Sequence, residues 1–155
     1  MAQNFLYSVD REYPVSIADL WSAWTDASKL EAWYFPTALK SVEGATTSEL
    51  QVGGLWSCAV DVSAHGFVAY FYGTYTKIEH HKRIEHTLHY TQSEAEFVSK
   101  DFESSSHLIL LDFEGRGDNS WVKFTQFGEL PEGQVEETQA GMESYFDSLS
   151  NFLSK

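Results

Sequence analysis

The feature that most constrains this chain is a change in the spacing of its apolar residues. From residue 38 to 127, apolar and polar residues alternate in short runs separated by Gly, Ser, Asp and Asn clusters. This alternation is typical of half-buried antiparallel strands. From residue 132 to 154 the apolar residues recur every three or four positions, which predicts one long amphipathic helix. The two patterns together predict a sheet that packs against a C-terminal helix.

The other predicted elements follow from capping and turn residues. A first strand over residues 4–13 ends before a proline, which cannot donate to a strand ladder. Ser16 and Asp26 are each placed to cap a short helix. The polar segment 92–105 is expected to form a flap, or a loop with a fragment of helix. Six further strands are predicted near residues 38–43, 49–62, 66–79, 83–91, 106–114 and 119–127.

This order of elements predicts an α+β fold with about seven strands. A strongly twisted antiparallel sheet of that size tends to curl, and a long helix can fill its concave side. A gap between helix and sheet is a common place for a small-molecule site. The helix residues expected to face the sheet are Val135, Thr138, Met142, Tyr145, Leu149 and Phe152.

Composition and charge limit which partners and which cellular compartment are expected. The 155 residues are expected to form one domain, and a net charge of -13 disfavours nucleic acid and anionic membrane surfaces as partners. No apolar run is long enough to predict a membrane span, and no signal peptide is predicted. Cys58 is the only cysteine, so a reducing cytoplasm is the expected location and a small buried hydrophobe its expected role.

Six runs of the sequence fall in the order that a known family shows, and together they span nearly the whole chain. They are REYPVSIADLWSAWTDASKLEAWYFP, VGGLW, GTYTKIE, RIEHTL, VKFTQFG and YFDSLSNFL. The chain resembles the START-like superfamily, also named SRPBCC, in the branch of polyketide cyclases and activator of heat-shock-protein-90 ATPase homologues. The resemblance implies the helix-grip fold. One departure is Gly141-Met142, where the family typically has Gly-Trp, so the shape of the pocket is expected to differ.

No metal site or cofactor is expected. His80 and His81 lie at a predicted turn, whereas His86 and His89 are three residues apart on one strand and so point to opposite faces. Zinc or iron needs three or four convergent ligands, which this spacing does not supply. The glycine clusters form neither a P-loop nor a dinucleotide fingerprint.

Strand parity and helix spacing select the candidate ligand-binding residues. Plain core packing is the alternative role for each of them, since any globular core uses such side chains. His86 is also the candidate catalytic residue, with Tyr75, Tyr90 or Gln126 as its polar partner, and a hydrogen-bonded core histidine is the alternative. The candidates are Trp33, Trp56, Cys58, Phe71, Tyr75, His86, Leu88, Phe124, Gln126, Met142 and Tyr145.

The leading functional hypothesis is binding of a small hydrophobic or aromatic molecule between the sheet and the C-terminal helix. A cyclase or hydrolase that uses the same pocket is the second hypothesis, since the resemblance implies that enzymes occur on this fold. A chaperone-associated ATPase-activator-like module is the third, and it is implied by the family name alone. A chaperone contact and a homodimer both stay open as partners.

Overall fold

The structure is a computed structural model that describes residues 4–155. Within them no helix is both long and apolar enough to cross a membrane. The elements, in chain order, are β1 (Phe5–Tyr13), α1 (Ile17–Thr25), α2 (Ala27–Trp33), β2 (Lys40–Ser41), β3 (Thr47–Ser48), β4 (Leu55–Val62), β5 (Phe67–Glu79), β6 (Arg83–Thr91), α3 (Glu94–Ser99), β7 (His107–Arg116), β8 (Asn119–Phe127) and α4 (Gln134–Leu153).

The strands form one curled antiparallel sheet. Their order is β1-β8-β7-β6-β5-β4-β2, and the short β3 also pairs with β4. Every neighbouring pair is antiparallel, from β1 against β8 to β4 against β5. The sheet curls around α4, and α1 and α2 follow β1, so the predicted helix-grip fold is confirmed.

Two predicted strands are shorter than the sequence pattern indicated. The run 49–62 contains a turn at Gly53 and Gly54, and the strand proper starts only at Leu55. The run 38–43 is reduced to the two residues of β2. In both places the backbone leaves the ladder to form turns, and alternation of side chains cannot report this.

The predicted helix caps are present. The Ser16 hydroxyl accepts a hydrogen bond from the Asp19 amide at 3.1 Å, and the Asp26 carboxylate accepts one from the Ser28 amide at 2.9 Å. Each bond satisfies an amide that has no partner within its helix. Asp26 also ends α1, so one residue fixes the corner between the two short helices.

The second half of α4 is held by polar contacts to β1 and to the segment that follows α2. The Tyr13 hydroxyl donates to the Phe146 carbonyl at 3.0 Å, and the Ser148 hydroxyl donates to the Phe35 carbonyl at 2.6 Å. Arg11 forms an ion pair with Asp147 at 2.7 Å. The Phe146 side chain is fully buried. The predicted apolar stripe omits Phe146, because it includes the neighbouring Tyr145 instead.

A smaller cluster lies on the convex face of the sheet. Phe97 of α3 packs on Tyr70 and Tyr72, and the Tyr72 ring stacks on His89 at 4.8 Å between ring centroids. The segment 92–105 is therefore a loop that contains a short helix, as expected. His89 lies on this outer side, whereas His86 lies in the inner core, which confirms that they point to opposite faces.

Candidate functional site

A cavity of about 220 Å³ lies between the first half of α4 and the concave face of the sheet. An engineered apolar cavity of about 150 Å³ is known to hold benzene, so this space suits one substituted ring or two fused rings. None of its lining side chains carries a charge. They are Tyr7, Tyr34, Phe71, Leu88, Phe124, Gln126, Thr138, Gly141, Met142 and Tyr145.

The helix leaves this space because of its own sequence. Thr138 and Gly141 present small groups to the cavity, and a Cβ atom added at Gly141 would have no heavy atom within 4 Å. Met142, one residue further on, is the first α4 side chain to be buried. Within the described residues, no hydrogen bond joins residues 134–142 to the sheet.

Polar atoms line one wall of the cavity. The Tyr7 hydroxyl donates to Gln126 Oε1 at 2.6 Å, and the other end of the Gln126 amide meets His107 Nδ1 at 2.7 Å. Burial raises the pKa of Tyr7, so its hydroxyl stays protonated and neutral. The polar groups of Tyr7 and Gln126, which line the cavity, can orient a neutral ligand by hydrogen bonds.

Two more tyrosines, Tyr34 and Tyr145, line the same cavity. Tyr34 is 6% exposed, and its ring lies 4.9 Å from that of Tyr145. Neither hydroxyl has a hydrogen-bond partner among the described residues. Burial raises the pKa of both groups, so both are neutral and free to donate to or accept from a ligand.

The neighbouring end of the concave face is packed almost solid. Its void measures only about 10 Å³ and is lined by residues that include Trp24, Trp56, Tyr75 and His86. Gly73 lies beneath this cluster, and a Cβ there would come within 2.6 Å of the Trp56 indole nitrogen. The missing side chain therefore lets the indole lie against the sheet.

His86 is tied to the backbone at this packed end. Its Nδ1 lies 2.8 Å from the Thr87 carbonyl, which can only accept, so Nδ1 carries the proton. Burial lowers its pKa to about 4, so the imidazole is neutral at pH 7. Among the described residues no hydrogen bond joins it to Tyr75, Tyr90 or Gln126, and the Tyr75 hydroxyl instead meets Ser48. This arrangement is that of a hydrogen-bonded core histidine.

The structure divides the predicted site residues into three groups. Trp33 and Cys58 are buried in the core and line neither space. Trp56, Tyr75 and His86 surround the small void. For all three groups, ligand binding stays a prediction. The predicted residues that do line the larger cavity are Phe71, Leu88, Phe124, Gln126, Met142 and Tyr145.

Sequence reasoning missed four lining residues. Tyr7 lies two residues before the buried Val9 on β1, so strand parity could have placed it on the inner face. Thr138 belongs to the predicted helix stripe, and Gly141 precedes Met142, the residue at which the chain departs from the family pattern. Tyr34 follows the end of α2, and no periodicity predicts the direction of such a side chain.

The described residues hold no cluster of three or more His, Cys, Asp or Glu side chains that could bind a metal ion. Cys58 is fully buried, and burial raises the pKa of its thiol. A neutral thiol in the core packs as a small hydrophobe. The polar groups that line the cavity are hydroxyl and amide groups, which can form hydrogen bonds.

The curled sheet that grips α4 and encloses a cavity defines a helix-grip domain of the START-like class. The model of the family described as "Activator of Hsp90 ATPase homolog 1-like protein" matches residues 14–154. The chain belongs to this family. The family supports a ligand-binding or ATPase-activator-like module in general terms, without a specific ligand.

Solved structures of bacterial proteins share the fold at low sequence identity. A protein from Chromobacterium violaceum is 16% identical with a TM-score of 0.77, and 96% of each chain is covered. A protein from Staphylococcus epidermidis is 20% identical with a TM-score of 0.77, over 99% of this chain and 92% of that one. The AHSA1 protein from Silicibacter pomeroyi is 17% identical with a TM-score of 0.75, over 96% of each chain. None of the curated proteins compared with the chain matches it.

Proposed function

We propose that this protein binds a small, neutral, apolar or aromatic molecule in the cavity between α4 and the sheet. The observation that carries the proposal is the cavity of about 220 Å³ with its uncharged, largely aromatic wall. An ion placed there would lose its hydration without gaining a charged partner, which is strongly unfavourable. A neutral ring gains from the burial of its apolar surface.

The other candidate functions have less support from the site. The candidate catalytic residue for a cyclase or hydrolase, His86, lies at the small void with its Nδ1 engaged by a carbonyl. A role beside a chaperone ATPase is supported by the name of the family alone. The net charge of -13 supports a partner that is neither nucleic acid nor an anionic membrane.

The proposal is tested by calorimetric titration and thermal shift with a panel of neutral aromatic compounds that includes 1-naphthol. We expect a melting temperature that rises with ligand concentration, because a ligand that binds only the folded chain stabilises it by about 2.7 kcal/mol at 100 times its Kd. No binding by any compound of the panel would contradict the proposal.

A matched pair of variants locates the binding. Met142→Trp places an indole in the cavity and should abolish binding. Ala140→Trp adds the same indole on the exposed side of the same helix and should leave binding unchanged. Equal affinity in both variants would place the ligand elsewhere on the protein.

A further inference from the structure

A chain of hydrogen bonds runs from the cavity wall to the surface. It starts at the Tyr7 hydroxyl, passes through the Gln126 amide and reaches His107 Nδ1, with distances of 2.6 and 2.7 Å. It ends where His107 Nε2 lies 3.1 Å from the Glu129 carbonyl oxygen. Tyr7 and Gln126 are 2% and 7% exposed, so the hydrogen bond between them is shielded from water.

The carbonyl at the outer end fixes the direction of every bond. A carbonyl oxygen can only accept, so His107 Nε2 must carry the proton. In the neutral imidazole Nδ1 is then an acceptor, and the Gln126 amide must turn its NH₂ group toward it. Gln126 Oε1 consequently faces Tyr7, and the Tyr7 hydroxyl hydrogen is used to reach it.

The position of the His107 ring is itself constrained. His107 and Gln126 lie on the adjacent strands β7 and β8. Gly128 follows β8, and a Cβ there would lie 2.4 Å from His107 Cδ2. Glycine therefore leaves room for the ring, and a larger residue would push it out of line with Gln126 and Glu129.

We propose that His107, which does not line the cavity, is a positioning residue that makes the cavity prefer a ligand with a hydrogen-bond donor beside Tyr7. This inference rests on the proposed function. Since the Tyr7 hydrogen is already committed to Gln126, its oxygen can only accept from a ligand. A phenol, an alcohol or an amide N–H meets that requirement, whereas an ether or an ester leaves the oxygen unpaired. Tyr34 and Tyr145 carry no such fixed direction.

The test compares two probes of similar shape, 1-naphthol and 1-methoxynaphthalene, by calorimetric titration at pH 8. One neutral hydrogen bond corresponds to roughly 3- to 10-fold in Kd, so the wild-type protein should prefer 1-naphthol by about that ratio. His107→Leu removes the acceptor and frees Gln126 to turn, so the preference should fall toward 1. A purely structural role of His107 would weaken both probes equally, and that result would overturn the inference.

His107→Asp is the conservative control. Its carboxylate offers an acceptor where Nδ1 stands and no donor, so it should retain the preference for 1-naphthol. Equal loss of preference in the Asp and Leu variants would contradict the inference, because the direction of the Gln126 amide would then not depend on an acceptor at position 107.

Nitrogen NMR of the imidazole rings tests the inference without any ligand. At pH 8 the His107 ring should have a protonated Nε2 and a bare Nδ1. His86 should show the opposite tautomer in the same spectrum, because its Nδ1 faces the Thr87 carbonyl. A protonated Nδ1 on His107 overturns the inference even if both probes bind. Failure of both probes to bind, with the expected tautomer present, contradicts the proposed function on which the inference depends.

Discussion

Two regions of the concave face of the sheet are packed differently. The region near α2 contains a void of only about 10 Å³, whereas the region under the first half of α4 contains a cavity of about 220 Å³. Both regions are lined largely by aromatic side chains, which are Trp and Tyr around the void and Tyr and Phe around the cavity. The abundance of aromatic side chains therefore does not distinguish a packed core from a binding cavity. What distinguishes the two regions is the element that covers each of them.

The packed region is covered by interlocking aromatic rings. Trp24 and Trp33 meet edge to face at 4.6 Å, and the Trp33 indole donates to the Ala23 carbonyl at 2.8 Å. Over the open region, residues 134–142 of α4 have no hydrogen bond to the sheet within the described part of the chain. The anchors of the helix, at Phe146 and Asp147, lie beyond it.

The two regions should differ most in how much unfolding free energy is lost when a side chain is replaced by alanine. Trp33→Ala removes a fully buried side chain from the packed region and should lower the free energy of unfolding by about 3–5 kcal/mol. Leu88→Ala removes a half-buried side chain beside an existing cavity and should cost less than about 2 kcal/mol. Urea unfolding measures both, and equal costs would contradict the distinction between the regions.

Acidification should act on the packed region through His86. Its folded pKa is lowered to about 4 from the ordinary value of 6.5, so below pH 6.5 the unfolded chain binds a proton that the folded chain does not. Stability is therefore lost as the pH falls from 6.5 toward 4, by about 3 kcal/mol from this group alone. The measurement is unfolding free energy against pH for the wild type and His86→Gln.

The contribution of His86 is the difference between those two curves, since His81 and His89 also have lowered pKa values and act in both proteins. The wild type should lose more stability than the variant between pH 6.5 and 4. Parallel curves over that range would show that His86 is accessible to protons in the folded state.

The indole N–H groups of two tryptophans in the packed region should differ in how much they contribute to stability. Trp33→Phe leaves the Ala23 carbonyl without its donor, whereas Trp24→Phe removes a buried nitrogen that has no hydrogen-bond partner. Both replacements lose similar apolar surface, so Trp33→Phe should be more destabilising by about 1–2 kcal/mol. Thermal unfolding of the two variants checks the order, and the reverse order would be the contradicting result.

The smallest expected effect concerns the helix over the cavity. Gly141→Ala should stabilise the protein by about 0.5–1 kcal/mol, because alanine favours helix and its Cβ meets no neighbour. Ala140→Gly, at the exposed neighbouring position, should destabilise it by a similar amount. Differential scanning calorimetry resolves both shifts, and a destabilised Gly141→Ala would mean that the helix lies closer to the sheet than described.

The spacing of apolar residues was sufficient to predict the arrangement of the sheet and its long helix. Parity placed Trp56 and Cys58 on the inner face of β4, and both are buried there. It could not find the turn inside 49–62, because alternation continues through residues whose backbone has left the ladder. Side-chain periodicity reports which face a residue occupies and does not report backbone pairing.

The position of the cavity along the inner face could not be predicted from spacing. Trp56 and Phe71 share that face, yet only Phe71 lines the larger cavity. The difference depends on where α2 ends and where α4 is anchored, and both are set by contacts between residues distant in sequence, such as Ser148 with Phe35. The Tyr7, Gln126 and His107 chain likewise joins three strands that only the fold brings together.

A crystal structure of the protein soaked in 1-naphthol tests the central claim most directly. The account predicts density for the two fused rings between Met142 and Phe124, with the naphthol hydroxyl within hydrogen-bond distance of the Tyr7 oxygen. Density for naphthol on the surface alone, with the space under residues 134–142 filled by the Tyr34 and Tyr145 side chains, would contradict it.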